Sequence, residues 1–185
     1  MDRQSVTRYS APAQALHWLT AILVLIAFIY GPGGSEERVY SAARDFDRQL
    51  HETLGLVVLT LVVLRALWRA VDRRPHPPPA PRWMEAAAML TQGSLYVLLF
   101  AVPLTAIAGA WLEGHALTLL GGMRIAPPVG ESHAMGATIA RVHTWLGDAI
   151  LWVAGMHAAA SLYHHFVLSD NVLRSMLPQW ISRKP

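Results

Sequence analysis

The 185-residue chain contains no cysteine. That absence excludes disulfides, thiolate-ligated iron–sulfur clusters and the C-x-x-C-H type of covalent haem attachment. Charge is scarce as well. Only 15% of residues are charged, against about a quarter in an average soluble domain, while 54% are hydrophobic. The expectation is one small membrane domain covering residues 1–185, not a soluble enzyme. The net charge is +3, but the basic residues flank apolar segments and form no patch with interleaved aromatics. Lipid is therefore an expected partner and nucleic acid is not.

Four apolar segments, about 13–31, 51–69, 86–112 and 142–168, are each long enough to span a bilayer as a helix. The first follows an arginine-led start, yet no small-x-small cleavage site precedes Gly31-Pro32-Gly33-Gly34, so it reads as a retained span and not as a signal peptide. Arg65 and Arg69 enter the second segment late, where long side chains snorkel to an interface. Pro103 marks a kink in the third, and Asp148 is the one acid in the fourth. The predicted fold is all-α, a four-helix transmembrane bundle.

Arg73-Arg74-Pro75-His76-Pro77-Pro78-Pro79-Ala80-Pro81-Arg82 forms a stiff, basic connection between the second and third segments. The positive-inside rule assigns it, and with it both termini, to the cytoplasm. Ten basic residues (3, 8, 65, 69, 73, 74, 82, 174, 183, 184) then lie inside and five (38, 44, 48, 124, 141) outside. The loop from Glu113 to Arg141 is external, and its Gly121, Gly122, Pro127, Pro128 and Gly130 suggest turns and a short surface helix.

Histidines at bilayer depth are costly and mark function. Four lie inside or at the lip of the apolar segments: His17, His51, His143 and His157. Topology decides how they pair. His17 begins a helix that enters from the cytoplasm, and His51 begins one that enters from outside. On the fourth helix His143 and His157 are fourteen residues apart, close to four whole turns and about 21 Å, so both point to one face. The outer pair is then His51 with His143 and the inner pair His17 with His157. His51 and His143 also share a His-x-x-Leu-Gly pattern that sets Gly55 and Gly147 one turn along the same face, clearance for a flat macrocycle. Two bis-histidine b haems held between the helices, with the four imidazoles as iron ligands, fit this pattern. A metal-ion transporter or a proton relay would want carboxylates beside the imidazoles, and only Asp148 is available. His76, His115 and His133 fall in loops and read as solvated. His164 follows His157 by two turns on one face, whereas His165 points elsewhere.

At these residues the chain resembles the prokaryotic cytochrome b561 family, nearest to its di-haem superoxide-oxidising members, over almost its whole length. The resemblance rests on Leu16-His17-Trp18, on Leu50-His51 with Gly55 and the Arg65 to Arg69 exit, and on His143 with Leu146-Gly147. It is strongest over Gly155-Met156-His157-Ala158-Ala159-Ala160, continuing through His164-His165 and Asp170-Asn171 to Leu173-Arg174-Ser175-Met176-Leu177-Pro178. It implies a bacterial inner-membrane four-helix bundle with two non-covalent b haems on the four histidines. It also implies that superoxide gives an electron to the outer haem, which passes it to the inner haem and on to ubiquinone, contacted by His164. The alternative is an electron-transfer subunit linking the quinone pool to a periplasmic redox partner, or acting as a homodimer. The outer side carries eight acids (Glu36, Glu37, Asp45, Asp47, Glu52, Glu113, Glu131, Asp148) against five arginines. Steering an anion there calls for a local positive funnel, with Arg48, Arg124 and Arg141 as candidates.

Overall fold

The computed structural model describes residues 8–72, 80–128 and 130–178. Arg73, Arg74, His76 and the prolines at 75, 77, 78 and 79 lie outside them, as do Arg3, Arg183 and Lys184. Helix α1, Ala11–Ile29, starts where the Ser10 hydroxyl accepts the Ala13 N–H at 3.4 Å and Pro12 occupies the first turn. It stops before Gly31-Pro32-Gly33-Gly34, where Gly34 adopts φ 127°. A short α2, Glu36–Val39, and a 3₁₀ turn, Ala42–Arg44, lead into α3, Asp45–Val71. Asp45 and Asp47 in the first turn of α3 and Arg69 in its last match the helix dipole. Next come α4, Arg82–Leu112, and α5, His133–Phe166, followed by α6, Val172–Met176.

Between α4 and α5 the structure departs from the predicted surface helix. Strands β1, Leu117–Thr118, and β2, Arg124–Ile125, pair antiparallel instead, with Leu117 opposite Ile125 and Thr118 opposite Arg124. Gly121 and Gly122 take φ 89° and 83°, the left-handed region that closes such a turn at no steric cost. Helix α5 also begins nine residues before the predicted span at 142. The early turns are mostly small and apolar, broken by His133, Thr138 and Arg141, and Gly136 and Ala140 bring them hard against α4: a Cβ on Gly109 would lie 3.2 Å from the Ala140 nitrogen.

Three helical stretches are long and apolar enough to cross a membrane: Ala11–Ile29, Ala42–Val71 and Arg82–Leu112. Helix α5, 34 residues long, has the reach as well. Its histidines and Asp148 lower its apolar content, and it lies along α4 in the most extensive helix contact of the fold. Helices α1 and α3 form a second pair, and α3 packing on α4 joins the two. At the join Val58, Val62, Leu99 and Ile150 are buried, with Leu23, Val24, Leu95, Leu98, Phe100 and Val102 around them. Many large apolar side chains face outward, Ile22, Leu25, Leu67, Trp145 and Trp152 among them, as a lipid-facing bundle requires.

One end of the bundle is tied together by polar contacts near both ends of the described chain. The Tyr9 N–H donates to the Ser175 carbonyl at 3.1 Å, Trp18 Nε1 to Met176 at 2.9 Å, and the Ser10 hydroxyl to Asp72 at 2.7 Å. The β1–β2 hairpin occupies the opposite end, where Glu52 accepts the Thr118 N–H and Thr53 accepts the Leu120 N–H at 2.9 Å.

Candidate functional site

Near the hairpin end α3 presents His51 and α5 presents His143, with ring centroids 6.0 Å apart and planes at 82°. Toward the terminal end α1 presents His17 and α5 presents His157, at 6.4 Å and 73°. A metal–imidazole bond of about 2 Å on each side, with each ring centre roughly 1 Å behind its nitrogen, puts two trans imidazole centroids about 6 Å apart. Both pairs therefore leave room for one iron and no more.

The backbone orients the rings at the hairpin end. His51 Nδ1 donates to the Ala27 carbonyl at 2.7 Å and His143 Nδ1 to the Val102 carbonyl at 2.9 Å. With Nδ1 protonated, Nε2 is left as the free ligand atom, the usual outer-shell arrangement of a metal-bound histidine. The Val102 carbonyl sits beside Pro103, and the Thr105 hydroxyl donates to the carbonyls of Ala101 and Val102 at 2.7 and 2.9 Å, so the proline-disturbed turn is saturated by side chains. At the terminal end His17 Nδ1 is buried without a hydrogen-bond partner among the described residues.

A Cβ added at Gly55 or Gly147 would meet nothing within 4 Å, and the same holds for Gly93 and Gly155. Beside His51 and His143, Gly55 and Gly147 leave the clearance that a flat macrocycle would need, whereas Gly93 and Gly155 are exposed. Gly31, whose added Cβ would lie 3.4 Å from His51 Cε1, confines that ring from α1. The aliphatic cluster around Val62 lies between the two pairs, with Ile150 seven residues from each α5 histidine. The chain thus offers two separate bis-imidazole sites, four neutral nitrogen ligands and no thiolate, a donor set suited to b-type haem.

At the terminal end His164 Nδ1 meets Asp170 Oδ2 at 2.5 Å, and the other carboxylate oxygen accepts the Val172 N–H at 3.0 Å. Asp170 is a partner that the sequence signalled only as part of a longer run. The guanidinium of Arg65 lies 5.4 Å and that of Arg69 5.2 Å from the Tyr96 ring centroid, and Arg69 also donates to Gln92 at 2.9 Å. Arg65, Arg69 and Tyr96, with Tyr9, Trp68 and Asp72, line a shallow cleft.

The three candidate steering arginines do not share one environment. Arg48 is 11% exposed and bound to Glu52 at 3.0 Å and Asp45 at 2.5 Å, with its guanidinium 5.2 Å from the Tyr40 ring centroid. Its charge is locally matched. Arg124 and Arg141 are exposed. His133 is exposed, in keeping with a loop-end position, but His115 is not solvated as predicted. Its ring stacks on Tyr40 at 3.5 Å and its Nε2 meets Glu36 at 2.6 Å, contacts made across nearly eighty residues of chain. Burial first, and then the Glu52 and Glu113 carboxylates, push the Tyr40 phenol above its ordinary value. Burial and the neighbouring Glu36 likewise hold the Glu113 carboxyl above the usual carboxylate range.

Comparison with known proteins agrees in extent and kind. The sequence profile of the prokaryotic cytochrome b561 family matches residues 8–179. Cytochrome b561 homolog 2 of Escherichia coli K12 is 28% identical over 171 residues, 92% of this chain and 91% of the relative. Cytochrome b561 homolog 1 of the same organism is 30% identical over 182 residues, 94% and 99% of the two chains. A protein of Yersinia pestis named as a probable superoxide oxidase is 30% identical over 179 residues, 93% and 97%.

Proposed function

This chain belongs to the prokaryotic cytochrome b561 family of membrane electron-transfer proteins with b-type haem, and from that premise we propose that it oxidises superoxide outside the bacterial inner membrane and reduces ubiquinone at the cytoplasmic side. His51 and His143 hold the outer haem, and His17 and His157 the inner one. The observation that carries this reading is the pair of histidine couples, at 6.0 and 6.4 Å, on either side of an aliphatic layer. When bound, two b haems supply a one-electron path between the two faces. Overall, two superoxide anions each lose one electron and leave as dioxygen, while one ubiquinone takes both electrons and two protons.

The chain's own residues do the rest. Ala27 and Val102 hold the outer imidazoles by Nδ1, which leaves Nε2 of each ring as the free ligand atom. Arg124 and Arg141 draw the superoxide anion to the outer face, whereas Arg48, tied to Asp45 and Glu52, is a strut beneath it. At the other end Asp170 steadies the Nδ1–H of His164, so that Nε2 is free to hydrogen-bond a quinone carbonyl and hand it a proton. Support comes from the 30% identical relative that carries the superoxide oxidase name.

The deciding experiment is rapid mixing of haem-loaded protein with superoxide, with and without a ubiquinone analogue. The expected result is fast haem reduction, followed by re-oxidation only when quinone is present. Absence of reduction by superoxide would leave the second role, a transmembrane cytochrome b linking the quinone pool to a periplasmic redox partner.

A further inference from the structure

At the hairpin end three side chains from separate segments converge: Glu36 on α2, Glu113 at the end of α4, and His115 two residues beyond. One ligand atom from each lies within 4.8 Å of the other two. Glu36 is exposed and shares a proton with His115 Nε2 at 2.6 Å. Glu113 differs: it is 8% exposed, and its carboxylate has no hydrogen-bond or ion-pair partner among the described residues. The imidazoles of His115 and His133 act on this carboxylate from nearby. The Arg48 guanidinium at this end of the bundle is taken by Asp45 and Glu52.

Glu113 is held in place from two sides. A Cβ on Gly136 would come within 2.8 Å of the Glu113 nitrogen, so α5 presses directly on this residue. The His115 ring is fixed by its stack on Tyr40. We propose that Glu36, Glu113 and His115 form a binding site for one divalent transition-metal ion of the zinc class. Two carboxylates and one imidazole are ligands that zinc accepts readily, and three protein ligands leave a fourth position for water. Magnesium and calcium prefer all-oxygen sites and are poorly served by the imidazole. The ion takes the place of the proton between His115 and Glu36, and it sets a positive charge beside both carboxylates. Binding clamps the α1–α3 connection onto the end of α4, across the mouth of the His51–His143 site, and does not depend on which electron donor the protein uses.

The test uses tag-free, haem-loaded protein in detergent, stripped with EDTA, titrated with Zn²⁺ by calorimetry and melted with and without the metal. One saturable Zn²⁺ per chain and a higher Tm are expected, with equal concentrations of Mg²⁺ or Ca²⁺ failing to reproduce either. Glu113→Gln, His115→Ala and Glu36→Gln should each weaken binding by roughly tenfold or more with the haem absorbance unchanged. Because Glu36 is exposed, Glu36→Gln keeps the test sound even if Glu113→Gln folds poorly. Undiminished Zn²⁺ binding in Glu36→Gln and His115→Ala, or no saturable binding to the parent protein, would overturn the proposal.

Discussion

If each histidine pair holds one haem, the four half-buried imidazoles make two separable sites, because α5 meets a different helix at each, α3 at His51–His143 and α1 at His17–His157. Replacing His51 or His143 with alanine should remove one haem and spare the other, and His17→Ala or His157→Ala should do the reverse. A pyridine-haem assay should give two haems per wild-type chain and one per variant, and a wild-type value of one would end the two-pair assignment. His164→Ala should keep both haems yet slow re-oxidation by a ubiquinone analogue, since it removes the imidazole that Asp170 orients at 2.5 Å. Unchanged kinetics would reduce His164 to an interface residue. The four histidines were legible in the sequence because imidazoles at bilayer depth are rare and fourteen residues bring two of them to one face. Their acceptors were not, because the carbonyls of Ala27 and Val102 are placed by interhelical packing and carry no side-chain signature. His115 was misread for a related reason: Glu36, its partner, is 79 residues away in the chain.

Glycines divide the helices into places where backbone meets backbone and places that face open volume. A Cβ on Gly136 would lie 2.8 Å from the Glu113 nitrogen and 3.1 Å from the Gly109 carbonyl. Because backbone atoms cannot swing aside, Gly136→Ala must part α4 from α5, and a loss of about 1–3 kcal/mol is expected, as for other overpacked contacts. Gly55→Ala meets no protein atom within 4 Å, so it should leave the haem-free bundle as stable as before and instead weaken retention of the haem held by His51 and His143. Thermal melts of haem-free and haem-loaded protein separate the two effects. Equal destabilisation of the haem-free form by both variants would mean that Gly55 does not border the cofactor volume. Apolar length signalled the long helices in the sequence. The early start of α5 did not follow from hydropathy, since Arg141 breaks the apolar run and the turns before it are anchored by the small-residue contact with Gly109. The hairpin had a signal in Leu117 to Ile125, two short runs around Gly121-Gly122, which the proline and glycine content of the whole loop obscured.

Across the whole molecule charge and apolar packing are segregated, and both bear on turnover. With Arg48 bound in place, Arg124 and Arg141 are the exposed cations left among the three candidates. Reduction by superoxide should therefore slow as salt rises, screening taking hold over about 8 Å at physiological ionic strength, and neutralising either arginine should slow it without loss of haem. Acceleration by salt would show that the acidic residues govern the approach. The sequestering of Arg48 follows from spacing: Asp45 stands three residues before it and Glu52 four after, and α3 winds both onto its face. The aliphatic layer of Val58, Val62, Leu99 and Ile150 has a voltage consequence. Its buried side chains offer no group that binds a proton, so on the proposed two-haem reading electrons alone would cross this layer. An electron moving toward the negative interior would climb the membrane potential, at roughly 2.3 kcal/mol per 100 mV for a full crossing. In vesicles holding an interior-negative potential, collapse of that potential by an ionophore should therefore speed transfer from an outer donor to quinone and slow transfer in the opposite sense, so the sign of the response reads out the direction in which this protein conducts.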